Sequence, residues 1–171
     1  AARLPAKPDS RSAAILGAGG QAITQALSLV TAIPGIREIR VWNRTEARAA
    51  TFSDRLRAIG TALPSNVTVS PFARPEAAVT GADIVVAITS SRTPVLKGAW
   101  LAQGMHVTGA GINRANVAEV DADAVAFADV VAVDHVENAR REAGDLILAV
   151  EAGAFFWDRA VEIGAIMSGA H

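Results

Sequence analysis

Short apolar runs recur along this chain with helix-like stretches between them, and that alternation restricts the fold more than any other feature. The runs are AAIL (13–16), EIRVW (38–42), VTV (67–69), DIVVAI (83–88), MHVTG (105–109) and DVVAV (129–133). Most lack polar alternation, the pattern of parallel strands buried on both faces. Between them, QAITQALSLVTAI (21–33) sets Ile23, Ala26, Leu27 and Val30 on one helical face and stops before Pro34-Gly35. TEARAATFSDRLRAIG (45–60) turns Phe52, Leu56 and Ile59 inward and meets a C-cap signal at Gly60. RPEAAVTG (74–81) reads as a short helix with proline near its first turn. Strand alternating with helix predicts an α/β fold, a doubly wound and mostly parallel sheet with helices on both faces. After Asp134 the pattern turns helical, through HVENARREAG (135–144), DLILAVEAG (145–153) and AVEIGAIMSG (160–169).

The stretch AAILGAGGQA (13–22) sharpens this reading. It fits G-x-G-x-x-G/A with Gly17, Gly19 and Ala22 at the three small positions, between an apolar strand and a helix. Gly17 permits the strand-to-helix turn, Gly19 admits a pyrophosphate to the main chain, and Ala22 lets the helix pack on the sheet. The following helix then points free N–H groups and its positive dipole end at the phosphates, with Ala18, Gly20 and Gln21 completing the candidate cofactor-binding loop. This is the signature of an NAD(P)-binding Rossmann fold. Residues 1–11, polar with two prolines, read as a linker or entry arm, and 12–171 as a dinucleotide-binding domain.

The residue about 20 positions after the third small one meets the adenosine ribose in such folds. Here it is Asn43, followed by Arg44 and Thr45, with Arg48 one turn on. A carboxylate would favour NAD(H) and repel a 2′-phosphate. A neutral amide, a guanidinium and a hydroxyl at a helix start suit a dianion instead, so NADP(H) is favoured over NAD(H). Thr45 is the expected N-cap. Ligands of open α/β sheets bind beyond the carboxyl ends of the strands. Thr89 and Ser90 after the fourth run, and Gly109 and Gly111 after the fifth, are therefore candidates for the nicotinamide half. A turn into Thr93-Pro94 explains Ser90 and Ser91 equally well.

Composition excludes other classes. The 171 residues carry a net charge of −1, with no basic field to draw nucleic acid. Absence of cysteine removes disulfides and thiolate chemistry and fits the cytoplasm. No apolar run approaches the ~18 residues of a membrane span, and AARLPAKPDSRS lacks a signal-peptide core. Of the histidines, His106 reads as a packed strand residue, His135 follows a strand end, and His171 is terminal. No pair has metal-ligand spacing, so no metal is expected.

WNRTEARAATF, ADIVVAITSSRTPVLKGAWLAQGMHVTGAG, AEVD and EAGDL resemble the ornithine cyclodeaminase/mu-crystallin family, from about Ile15 to Gly169. TPVLKGAWL (93–101) and EAGDL (142–146) are its most specific parts; shikimate dehydrogenases and glutamyl-tRNA reductases share only the GAGG and NRT pieces. The resemblance implies NAD(P)-dependent deamination, dehydrogenation or imine reduction on a small amino acid or its imine. A non-catalytic NADPH-dependent binding protein, or a shikimate dehydrogenase-like oxidoreductase domain, is the alternative. Counting back six residues from Glu119, the aspartate of true cyclodeaminases is replaced by Asn113, the one tentative catalytic position. An amide cannot act as an acid or base, which favours reduction over cyclisation. The resemblance also implies that the family's substrate domain is largely absent, that the chain binds dinucleotide without turnover alone, and that exposed apolar surface could support a homo-oligomer. Glu142 and Asp145 are expected to cap or brace a helix start.

Overall fold

The computed structural model describes residues 6–59 and 63–169. Gly60, His171 and residues 1–5 of the expected arm lie outside the described residues. Within the chain, two compact units separate: residues 1–89 with 100–110, and residues 90–99 with 111–171.

The first unit runs β1 (Ser12–Leu16), α1 (Gly20–Ala32), β2 (Glu38–Trp42), α2 (Glu46–Ala50), α3 (Phe52–Ala58), β3 (Thr68–Phe72), α4 (Pro75–Val79), β4 (Ile84–Ala87) and β5 (His106–Gly109). Its five strands are all parallel, in the order β3-β2-β1-β4-β5. This is the doubly wound α/β arrangement, with the order reversing between β1 and β4. Strand position explains composition. Every residue of β1 and β4, the central strands, is buried, so both are apolar almost without break. In β2 only Ile39 and Val41 are buried. The edge strand β3 is largely exposed and tolerates Pro71, which cannot donate to a ladder. Ile15, Leu16, Ile39, Ile84 and Val85 have no exposed surface, and each stabilises the fold by roughly 1.5–3 kcal/mol.

Helix α1 buries Ala22, Ile23, Ala26, Leu29 and Val30, one stripe at helical spacing. It ends as expected, with the Ile33 N–H on the Leu29 carbonyl ahead of Pro34. The 45–60 segment is two helices, divided at Thr51 (φ −89°, ψ 2°). Phe52 and Leu56 are buried, but Ile59 is 54% exposed, because it follows the last residue of α3 and no longer shares its inner face. The starts of β1 and β4 are tied by Asp83. Its Oδ2 accepts from the Arg11 N–H (2.8 Å), the Ser12 N–H (2.9 Å) and the Ser12 hydroxyl (2.9 Å).

The second unit contains α5 (Ala122–Phe127), β6 (Val131–Val133), α6 (Val136–Glu142), α7 (Gly144–Glu151), β7 (Ala160–Glu162) and α8 (Ile163–Met167). Here the sequence reading needs correction. DVVAV does not join the main sheet; β6 pairs in parallel with β7 in a sheet of two strands. The 160–169 stretch opens as that strand and only then becomes helix, because pairing with β6 claims its first three residues. No helix among the described residues is long and apolar enough to cross a membrane.

Val95, Leu96, Gly98 and Asp145 all bond to the 119–121 segment of this unit. Val95 and Leu96 donate N–H groups to the Glu119 carbonyl at 2.8 and 3.0 Å, and Leu96 forms a parallel bridge with Val120. Asp121 caps α5 by accepting from the Ala124 N–H, and the same oxygen takes the Gly98 N–H, each at 2.9 Å. Asp145 supports the opposite side, its Oδ1 accepting from the N–H groups of Glu119 (2.6 Å) and Val120 (3.0 Å). A Cβ at Gly144 would overlap the carbonyl oxygens of Arg114 and Val117, so only glycine lets α7 approach this closely.

Candidate functional site

The sheet register decides which loops share an edge. Leu16 pairs with Trp42 and with Ala87, and Ala87 pairs with Gly109, so four strands finish at one level. The ladder runs one residue further: Gly17 donates to the Trp42 carbonyl (2.8 Å), Ile88 to Leu16 (2.9 Å) and Ala110 to Ala87 (2.8 Å). Gly17–Gln21, Asn43–Thr45, Thr89 and Gly109 therefore sit along the carboxyl edge of the first unit. Ser90, Gly111 and Asn113 belong to the second unit.

Within the glycine loop the three glycines differ. Gly17 has φ +115°, and a Cβ there would overlap the Ile88 carbonyl oxygen and stand 2.9 Å from its carbon. It would also lie 3.2 Å from the Thr89 methyl, so the fold itself requires this glycine. Gly19 has an ordinary extended backbone (φ −77°, ψ −177°), and its Cβ would meet nothing within 4 Å. Gly20 is equally open. Among the described residues no strain or neighbour accounts for these two glycines.

Helix α1 starts at that opening. Its N-cap is Gly19, with no side-chain cap hydrogen bond and no acidic residue in the first turn. The first-turn N–H groups lack intrahelical acceptors, and their partial positive charge is left uncompensated by any local carboxylate. Gln21 is exposed, whereas Ala22 is fully buried and packs on the sheet as expected.

Asn43 has a role that its position alone did not show. Its Oδ1 accepts from the Ala18 N–H at 3.0 Å, and its Nδ2 donates to the Thr45 carbonyl at 3.0 Å. The amide thus joins the glycine loop to the β2–α2 turn. Ala18 is 1% exposed, and its carbonyl receives Arg55 Nη1 at 2.7 Å. Both polar groups of Ala18 are committed within the chain, so this residue holds the loop rather than offering a donor of its own. Arg55 was missed from sequence. The available signal was its place three residues after the buried Phe52, on the inward side of α3. Arg44, Thr45 and Arg48 are exposed beside this turn. Thr45 occupies the N-cap position of α2, but its side chain makes no cap hydrogen bond.

Elsewhere the expected residues are placed as follows. Thr89 is half-buried and Gly109 exposed. A Cβ at Gly111 would overlap the carboxylate of Glu119, which is 2% exposed, so packing explains that glycine. Asn113 is exposed. His106 is half-buried, with Nε2 3.0 Å from Thr108 Oγ1, and burial pulls its pKa below the usual histidine value. His135 is exposed at the N-cap of α6. Glu142 is exposed at the end of α6, while Asp145 braces the Glu119–Val120 backbone. Burial raises the Asp145 pKa, opposed by the N–H groups of Val120 and Glu119. Among the described residues no cluster of three or more His, Cys, Asp or Glu could hold a metal ion.

Comparison with known proteins shows a family and a shared fold. The model of the ornithine cyclodeaminase/mu-crystallin family matches residues 1–171. An uncharacterized cyclodeaminase of Sinorhizobium fredii is 36% identical over 170 residues, 99% of this chain and 49% of the relative. The ketimine reductase mu-crystallin of Mus musculus is 33% identical over 170 residues, again 99% and 49%. The structure of Thermococcus litoralis Δ1-pyrroline-2-carboxylate reductase, in complex with NADH and L-proline, aligns with a TM-score of 0.88 at 28% identity, covering 99% of this chain and 51% of that one. The chain spans about half the length of the curated relatives it matches.

Proposed function

The chain belongs to the ornithine cyclodeaminase/mu-crystallin family, and on that premise we propose that its first unit binds a nicotinamide dinucleotide at the carboxyl edge of the sheet. The observation that carries this reading is the unfilled space at Gly19 and Gly20 in front of an uncapped helix. The N–H groups of Gly19, Gly20 and Gln21 meet the diphosphate, with the dipole of the 13-residue α1 adding attraction. Gly17 shapes the turn, and Ala18 and Ala22 fix the loop to the turn and core behind it.

The Asn43–Thr45 turn receives the adenosine ribose. Arg44, with Thr45 and Arg48 exposed beside it, supplies the charge for a 2′-phosphate, which supports NADP(H) over NAD(H). Thr89 and Gly109 border the nicotinamide half. The bound dinucleotide supplies or accepts hydride; the protein orients it. In the complete protein the partner in that exchange is a small amino acid or its imine. Asn113, an amide at the family's aspartate position, directs the chemistry toward imine reduction or dehydrogenation rather than cyclisation. Substrate groups come from outside this chain, so the chain alone binds dinucleotide without turnover. A homo-oligomer and a cytoplasmic setting complete the reading.

Titration calorimetry with NADPH and NADH is the test. Saturable binding of both, with NADPH tighter, is expected, and Arg44→Ala should weaken NADPH about ten-fold while sparing NADH, the effect of one charge-assisted contact. Failure of both coenzymes to bind at millimolar concentration overturns the proposal. Ordinary steady-state turnover by the chain without a partner would refute its catalytic incompleteness.

A further inference from the structure

We propose that Arg55 is a positioning residue for the diphosphate-binding loop: by holding the Ala18 carbonyl it aims the Gly19 N–H outward, toward the ligand. This rests on the dinucleotide reading above.

A trans peptide is planar, and its C=O and N–H point in opposite directions. The Ala18 carbonyl and the Gly19 N–H belong to one such unit. Fixing the oxygen therefore fixes the direction of the hydrogen. Arg55 Nη1 fixes it at 2.7 Å, at the short end for an N–H···O bond. The preceding peptide is fixed separately, through the Ala18 N–H on Asn43 Oδ1. Two side chains from distant segments, 25 and 37 residues away in sequence, thus set the planes on both sides of the Ala18 Cα. The hydrogen of Gly19 faces away from the guanidinium.

The mounting of Arg55 is rigid. Phe52 and Leu56, with no exposed surface, flank it along α3, so the helix cannot roll without exposing them. Ala18 is itself 1% exposed and Arg55 half-buried, so the contact is partly shielded from water. A cation on the carbonyl also polarises the peptide and strengthens its N–H as a donor. A methionine would fill the space but lose both the orientation and the polarisation, and a glutamine, shorter and uncharged, would lose the polarisation and weaken the hold. Open space at Gly19 invites a ligand; Arg55 determines that a donor points into it.

The test compares the wild-type chain with Arg55→Met, Arg55→Gln and Arg55→Lys. In ¹⁵N-labelled protein without ligand, Arg55→Met should shift the Gly19 amide proton upfield while leaving Gly35 in place. NADH and ADP-ribose should bind about ten-fold more weakly to it, with adenosine 2′-monophosphate, which lacks the diphosphate, unaffected. Arg55→Lys should recover at least half of the loss on a logarithmic scale. Should Arg55→Met not fold, Arg55→Gln, which keeps a donor without the charge, carries the same comparison. A variant that binds NADH as well as wild type overturns the proposal alone. So does equal weakening of NADH and 2′-monophosphate with the Gly19 amide unmoved, since that marks a merely structural role. A wild-type chain that binds neither NADH nor NADPH overturns the dinucleotide reading and this proposal with it.

Discussion

Glycines do opposite work at the packed segments of the second unit and at the start of α1. In the second unit Gly98, Gly111 and Gly144 each stand where another part of the chain already occupies the Cβ position: backbone at Asp123–Ala124, the Glu119 carboxylate, and the Arg114 and Val117 carbonyls. In the first unit Gly17 behaves in the same way, but two residues later Gly19 and Gly20 face empty space with ordinary backbone angles. The same residue type is explained by packing in one place and by nothing within the protein in the other. Gly164 in α8 is equally open. Open space therefore points to a ligand only where it also fronts an uncapped helix at the carboxyl edge of the sheet, as at Gly19 and Gly20.

The largest effect is expected where the neighbour is backbone and cannot move aside. Gly144→Ala should destabilise by about 3 kcal/mol or prevent folding, as overpacking against a fixed main chain does. A urea denaturation midpoint close to that of wild type would remove the second unit from the comparison. Next comes a test away from glycine. Asp83→Ala leaves three donors without their acceptor and should cost about 2 kcal/mol at neutral pH. Burial raises the Asp83 pKa, but the bonds from Arg11 and Ser12 and the charge of Lys7 outweigh it and hold the carboxyl below 3.8. Its stabilisation is therefore present above the unfolded value of 3.8 and lost as pH falls through the folded one. Denaturation at pH 6 and pH 3 should show the gap between wild type and variant closing in acid.

Gly19→Val then inverts the expectation for Gly144. Because its Cβ meets nothing, stability should change by only about 1 kcal/mol, the cost of a β-branched N-cap. Dinucleotide affinity should nevertheless fall at least ten-fold, equivalent to about 1.4 kcal/mol. Unchanged NADPH affinity in calorimetry would break the comparison outright. The smallest effect belongs to Asp145. Burial raises its pKa above 3.8, so its contribution is greatest at and below that unfolded value and declines as pH rises through the folded value. Asp145→Asn, which retains an acceptor oxygen, should flatten this slope in a pH series of thermal midpoints.

Much of this was legible along the chain. The strands of the main sheet, the β6 run and α1 came from apolar runs and helical period, and Gly17, Gly19 and Ala22 from spacing between a strand and a helix. Val161 and its neighbours were read as helix because three residues are too few to show a strand's period, and their partner, β6, lies far away in sequence. Arg55 went unread, since its place on the inward side of α3 is a weak local signal and its partner is 37 residues distant. EAGDL was recognisable as a motif, but its reason was not; Gly144 and Asp145 act on a loop about 25 residues upstream.

The amino-acid order by itself determined the doubly wound architecture and the glycine-rich turn into α1, because helix and strand periods and glycine's missing side chain act over a few residues. Tertiary structure alone decided which glycines are filled from within, that Asn43 and Arg55 grip Ala18 from both sides, and that the last strand pairs with β6. Those outcomes depend on hydrogen bonds between distant segments, and such partners meet only after the apolar strands have packed and brought their ends to one level.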